Sequence, residues 1–293
     1  MSNIVLLGCT GFVGSSLLKK MKNEKFRLKA MIHNNGVKTQ IEKFKGDILS
    51  QGIFDKELKR GDTVINLIGQ NTGNLPDLIN LNITGGLNLL NSCIKKKLNR
   101  IILISSINVY GENSHAPSKE MDPLRPQTVY GVVKLLTEKM YESYSKVYGI
   151  NVTILRLANL YGPNKKSGFI ANLINSINNN KQPLTVYSNA EQLRDLLYVE
   201  DATDAIIQAI KIPLAGFNVL NISSGNRYMI KDLIKIIEKT SHKKLNVKLS
   251  KDIFDEKCIW ANNSKAKKFL KFIPKTTIEN GLKLTINNLM KKN

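Results

Sequence analysis

This 293-residue sequence predicts a doubly wound α/β fold, a parallel sheet covered by helices on both faces. Three observations point there. Short segments that are apolar throughout alternate with amphipathic stretches, as buried parallel strands alternate with helices. The first such segment runs straight into a glycine-rich turn and a helix. A later one ends in a pair of serines, where a parallel strand meets the open edge of its sheet.

The elements follow in order. IVLLG (4–8) reads as a first strand, followed by a helix over 13–22 and a strand LKAMI (28–32). A third strand region ends before the Gly46-Asp47 pair. VINLIG (64–69), a helix over 81–96, IILISS (101–106), a helix over 130–147 and VTILRL (152–157) complete the alternation. After Gly162 the rhythm loosens. A helix near 169–177, a strand LTVYS (184–188), a helix near 201–210 and a strand FNVLNIS (217–223) are expected. A helix with Ile230, Leu233, Ile234 and Ile237 at core spacing comes next, and a last helix covers 278–290.

Composition removes several classes of function. With 42% hydrophobic and 23% charged residues the chain can build a sizeable core, which excludes a disordered or low-complexity protein. No apolar run reaches the roughly 18 residues of a membrane helix. The amino terminus enters MSNIVLLG without a basic region or cleavage site, so no secretory signal and a cytosolic location are expected. Cys9, Cys93 and Cys258 are odd in number and far apart, which speaks against a disulfide framework. His33, His115 and His242 have no metal-ligand spacing with one another or with a cysteine, so no metal is expected. The formal charge is +21, and residues 231–293 hold 16 Lys plus Arg against 6 Asp plus Glu. That segment lacks interleaved aromatic and Arg residues, so it reads as a solvated basic surface, not a nucleic-acid face.

Two motifs carry chemistry. Gly8-Cys9-Thr10-Gly11-Phe12-Val13-Gly14 joins a strand to a helix, where backbone can approach a pyrophosphate and the positive end of the helix can meet its charge. Tyr130 and Lys134 stand four apart on a predicted helix, on one face, so the ammonium can favour the phenolate. Tyr161 and Lys165 share that spacing, but Pro163 between them prevents a continuous helix, leaving Tyr130 the better candidate. Ser105 and Ser106 supply hydroxyls at a strand end, near where a ligand of such a sheet sits.

Together these stretches resemble the NAD-dependent epimerase/dehydratase family, the sugar-nucleotide branch of the extended short-chain dehydrogenases. SSINVYG (105–111), RLANLYGP (156–163), RDLLYVEDATDA (194–205) and NISSG (221–225) stand where that family carries similar blocks, and the likeness covers nearly the whole chain. It implies a Rossmann domain over 1–165, with segments near 195–225 returning to it, and a smaller substrate-binding domain over 166–293. It also implies NAD as cofactor, a nucleotide diphosphate sugar as substrate, and a homodimer built on the helices near 81–96 and 130–147.

Matched position by position, Tyr130 becomes the acid/base, Lys134 the ribose-binding partner that biases it, and Ser106, four residues before Tyr110, the hydroxyl that bonds the reacting sugar oxygen. Gly8, Thr10, Gly11, Phe12, Val13, Gly14, His33, Asp47, Ile48 and Leu67 fall to the cofactor, with Asp47 toward the adenine. Asn159 and Arg194 fall to the substrate phosphates, a task that suits a planar guanidinium. Three departures qualify the match. The end of the second strand offers His33, Asn34 and Asn35 in place of the acidic residue that selects NAD, which leaves NADP open. Ile107 and Asn108 replace the Asp-Glu pair of the dehydratases, disfavouring a 4,6-dehydratase. Lys257 stands where a second phosphate-binding Arg is usual.

The resemblance implies a 4-epimerase passing through a 4-keto sugar, with an NADPH-dependent keto-sugar or carbonyl reductase as the alternative. A non-catalytic dinucleotide-binding or RNA-associated role would have no use for the Ser106, Tyr130 and Lys134 set.

Overall fold

The structure is a computed structural model that describes residues 3–33, 41–69, 73–113, 116–179, 183–186, 190–250 and 258–290. In chain order it has β1 (Asn3–Leu7), α1 (Phe12–Met21), β2 (Arg27–Ile32), β3 (Glu42–Lys45) and β4 (Thr63–Asn66). Then come α2 (Leu75–Ile79), a π-helical turn (Asn80–Thr84), α3 (Gly85–Lys95), β5 (Arg100–Ser106), α4 (Val129–Tyr148), β6 (Asn151–Leu157) and β7 (Asn159–Tyr161). The remainder is α5 (Phe169–Asn179), β8 (Leu184–Val186), β9 (Leu193–Arg194), β10 (Leu196–Tyr198), α6 (Val199–Lys211) and β11 (Phe217–Ile222), followed by β12 (Tyr228–Met229), α7 (Ile230–Ser241), β13 (Val247–Leu249), α8 (Ser264–Leu270) and α9 (Ile278–Met290).

Seven strands pair in the order β11-β6-β5-β4-β1-β2-β3, and every pairing is parallel. This is the doubly wound α/β fold the sequence predicts. The apolar-throughout strands follow from burial on both faces: Ile4 and Leu6 of β1 enter one core with Leu17 and Leu18 of α1 and Ile206 of α6. Val5 and Leu7 enter the other with Leu89 and Leu90 of α3 and Tyr141 of α4. Each such side chain contributes about 1.5–3 kcal/mol of burial. A third core, outside the sheet, joins Leu173 and Ile177 of α5 to Leu233 and Ile237 of α7 and Leu282 and Ile286 of α9. The strand order reverses between β1 and β4, so a cleft opens beyond their carboxyl ends.

Several boundaries differ from expectation for local reasons. The helical stretch expected over 81–96 starts at Leu75, because Asn74 accepts a hydrogen bond from the Asp77 amide at 2.9 Å and Pro76 fits the first turn. These signals precede the apolar period that marks the rest. The two- and three-residue strands β7, β9, β10 and β12 are too short to carry any period, so the sequence does not mark them. Residues 187–188 of the expected strand LTVYS, and His115, lie outside the described residues. Helix α4 runs for 20 residues, capped by Thr128, whose hydroxyl accepts from the Gly131 amide at 3.0 Å, and ended by left-handed Gly149.

Candidate active site

The turn after β1 is shaped by what it lacks. Gly8 takes φ 83°, a left-handed conformation costly for other residues, and its carbonyl accepts from the Gly11 amide at 3.2 Å. A Cβ at Gly14 would lie 2.1 Å from the Gly8 oxygen, so α1 meets the turn with no side chain between. No acidic residue occupies the first turn of α1, which leaves its positive end unopposed. Gly8, Gly11, Phe12, Val13 and Gly14 line one wall of a cleft of about 550 Å³.

Across that cleft the end of β5 and the start of α4 bring Ser106, Tyr130 and Lys134 together. Burial pushes the Tyr130 phenol up to about 12, and a hydrogen bond with Ser106 acts in the opposite sense. Burial pulls the Lys134 ammonium down to about 8, against the attraction of Glu138 one turn further along α4. Lys134 Nζ donates to the Ile104 carbonyl at 3.2 Å and stands 5.9 Å from the centre of the Tyr130 ring. The Ser106 hydroxyl accepts from the Asn108 amide at 3.2 Å, which fixes its place at the strand end. A phenol that burial keeps neutral, with a cation and a hydroxyl beside it, can exchange a proton with a bound hydroxyl.

Behind this set lies a polar network that no sequence motif announces. Glu138 and Arg156 are each 3% exposed and paired, Nη2 to Oε2 at 2.7 Å. The Ser105 hydroxyl donates to Glu138, and Arg156 Nη1 donates to the Tyr110 hydroxyl at 2.8 Å. Tyr110 in turn donates to Asn221 Oδ1 at 2.7 Å. The blocks VYG, RLANLYGP and NISSG therefore converge through Tyr110, Arg156 and Asn221. The link between them, Glu138, follows Tyr130 and Lys134 by eight and four residues on the same helical face, a spacing that by itself does not set it apart from an ordinary helical acid.

Other expected residues divide into two groups. Leu67, Asn159 and Arg194 line the cleft. Arg194 sits 6.0 Å from the Phe169 ring, and the adjacent Asp195 is fully buried. Burial pushes the Asp195 carboxyl up to about 7, opposed by bonds from the Ala261 amide and from Ser224 and Ser223. Thr10, His33, Asp47 and Ile48 are not part of the cleft lining. His33 Nε2 stands 3.5 Å from Asp47 Oδ2 on an exposed surface, and Ile48 is buried in the second core. Asn34, Asn35 and Lys257 lie outside the described residues. Tyr161 is buried in the third core, whereas Lys165 lines the cleft.

A further residue was missed. Asn82, on the π-helical turn, is 3% exposed, and its Oδ1 has no hydrogen-bond partner among the described residues. A Cβ on Gly69 would lie 3.0 Å from that oxygen and 2.8 Å from Lys134 Nζ, so Gly69 keeps open a polar gap between them. A π-helical turn beside a site is a recurrent device for aiming one side chain, but nothing in NLNIT announces it. Among the described residues no three His, Cys, Asp or Glu gather as a metal site, and no helix is long and apolar enough to cross a membrane.

The sequence profile of the NAD dependent epimerase/dehydratase family matches residues 4–223. A UDP-glucuronate 4-epimerase of Thermodesulfobacterium geofontis is 31% identical over 212 residues, 71% of this chain and 65% of that protein. An uncharacterised UDP-glucose epimerase of Bacillus subtilis is 30% identical over 195 residues, 66% of this chain and 61% of its own. In both, the matched stretch spans less than two thirds of the relative's length. Among solved structures, the UDP-glucuronic acid 4-epimerase from Bacillus cereus in complex with UDP-glucuronic acid and NAD superposes with a TM-score of 0.90 at 27% identity, covering 99% of this chain and 100% of that one.

Proposed function

The chain belongs to the NAD dependent epimerase/dehydratase family, and from that premise we propose that it is a 4-epimerase of a nucleotide diphosphate sugar that works with NAD. The observation that carries the reading is the convergence of Ser106, Tyr130 and Lys134 on one cleft with the Gly8–Gly14 turn. The cleft fits a dinucleotide: Gly14 lets backbone close up where a diphosphate approaches, and the gap between Asn82 Oδ1 and Lys134 Nζ suits a ribose hydroxyl. His33 and Asp47 are assigned to the adenosine end, Asn159 and Arg194 to the phosphates of the sugar nucleotide, and the lobe around the third core to its grip.

Bound NAD supplies an acceptor for the C4 hydride and later its donor. Tyr130 takes the proton of the C4 hydroxyl in its phenolate form, which burial opposes and the hydrogen bond from Ser106 and the nearby Lys134 ammonium favour, while Ser106 also reaches the reacting oxygen. After the 4-keto sugar has turned in the cleft, Tyr130 returns the proton, so no net oxidation results. Ile107 is fully buried and Asn108 has no carboxylate, so neither can serve the elimination of a 4,6-dehydratase.

A homodimer fits the reading. Helix α4 exposes Val129, Val132 and Leu136 on one face, and α2 exposes Leu75 and Ile79, surfaces suited to a second copy. Three buried cysteines without disulfides fit a cytosolic setting. The test follows a panel of UDP-hexoses and UDP-uronates by proton NMR, together with the absorbance of reduced nicotinamide. Interconversion of C4 epimers at constant nicotinamide supports the proposal; net consumption of reduced cofactor with a keto sugar would replace the epimerase by a reductase.

A further inference from the structure

We propose that Lys165 binds the diphosphate of the dinucleotide, carried there by a strap, residues 162–168, that reaches across the cleft onto the glycine turn. The strap leaves β7 after Tyr161 and enters α5 at Phe169. It is bent by left-handed backbone at Asn164 (φ 67°) and Gly168 (φ 105°). Lys165 lays its stem along Gly168, where a Cβ would lie 3.3 Å from Lys165 Cε. Its ammonium ends 4.7 Å from the centre of the Phe12 ring, at the first residue of α1. A residue from beyond β7 thus touches the element that opens the dinucleotide side of the cleft.

Charge points the same way. Among the described residues that line the cleft, Lys134, Lys165 and Arg194 are cations and none is a carboxylate. Lys134 is engaged beside Tyr130 and Arg194 lies against Phe169, which leaves Lys165 as the cation set at the glycine turn. Burial alone lowers its proton affinity, and a bound anion would act in the opposite sense. The diphosphate of the sugar nucleotide offers the same chemistry, but the contact with Phe12 selects the dinucleotide. The inference rests on the dinucleotide-binding part of the proposed function, and an enzyme that regenerates its cofactor in every turnover gains from a clamp that keeps it.

Wild type, Lys165→Met and Lys165→Arg are purified, saturated with NAD and chased with isotopically labelled NAD, with exchange read by mass spectrometry. The affinity of the same preparations for UDP is measured by calorimetry, and thermal melting checks their folding. Loss of one charge-assisted contact predicts about tenfold faster exchange in Lys165→Met. Lys165→Arg, which keeps the charge, should stay within about threefold, and UDP affinity within about twofold. Unchanged exchange in Lys165→Met overturns the proposal, as does a loss of UDP affinity with exchange unaltered, which would assign the cation to the sugar nucleotide. A wild-type protein that binds no dinucleotide overturns it as well. Slow exchange that depends on Lys165 in a protein that epimerises nothing would sink the epimerase reading and leave the strap standing.

Discussion

The two walls of the cleft are built on opposite principles. At the β1 end the turn exists because side chains are absent: Gly8 turns left-handed and Gly14 admits the Gly8 carbonyl where a Cβ would stand 2.1 Å away. At the β5–β6 end the wall exists because buried side chains answer one another, from Ser105 through Glu138 and Arg156 to Tyr110 and Asn221. Backbone amides suit a ligand whose charge is fixed, such as a diphosphate. A proton transfer needs a phenol, a hydroxyl and a cation held in register, and only a side-chain network does that. Damage to the first wall should therefore appear as lost binding, and damage to the second as lost turnover or lost stability.

The largest effect is expected at the reacting group. Tyr130→Phe should lower turnover about 10³-fold, within the range for a general acid/base, while NAD occupancy, measured after denaturation, stays near that of wild type. A variant that lost the dinucleotide in parallel with activity would blur the division between the walls. Glu138→Gln comes next. It leaves the Arg156 guanidinium, 3% exposed, without its counter-charge, a change that costs about 3 to 5 kcal/mol in buried pairs. Urea unfolding measures this, and a loss below about 1 kcal/mol would show that solvent reaches the pair.

What was legible in the sequence follows the same division. The strands read plainly because burial on both faces makes them apolar end to end, and the glycine turn reads because missing side chains leave a spacing. The network does not, since its members lie far apart in the chain and each, taken alone, passes for something else. Arg156 and Asn221 were visible only as letters in blocks, and Glu138 looked like an ordinary helical acid. Asn82 owes its position to a π-helical turn that no local composition signals. Lys165 is obscured in the sequence by Pro163, which separates it from Tyr161. That separation is real, and the strap then takes the lysine to the cleft through backbone turns at Asn164 and Gly168.

A smaller effect is expected on the backbone wall. Gly14→Ala forces the Gly8 carbonyl to move, since the contacting atoms are backbone. Overpacking of this kind costs about 1 to 3 kcal/mol, and the displaced turn should purify with little or no NAD. The Glu138–Arg156 pair and Gly14 belong to different elements and share no hydrogen bond or ion pair among the described residues, so denaturant unfolding of Gly14→Ala should combine additively with Glu138→Gln. A clearly non-additive pair would mean that the two walls communicate.

A last test concerns a second buried carboxyl, whose bonds among the described residues come from neutral donors. Asp195 is held by the Ala261 amide and by Ser223 and Ser224, all neutral donors, and burial raises its carboxyl from 3.8 to about 7. Between those values the folded protein binds the proton and the unfolded chain does not. Stability must therefore rise as pH falls from 7 toward 4, by at most about 1.4 kcal/mol per pH unit. Above pH 7 the carboxyl is ionised in both states and this slope vanishes, with the burial cost fully present. Asp195→Asn is neutral throughout, so the difference in urea-unfolding free energy between it and wild type should change with pH below 7 and level off above. If the two stability curves instead run parallel from pH 5 to pH 8, neutral hydrogen bonds suffice to hold an ionised carboxylate in this interior, and the Arg156 partner of Glu138 becomes a matter of orientation more than of charge.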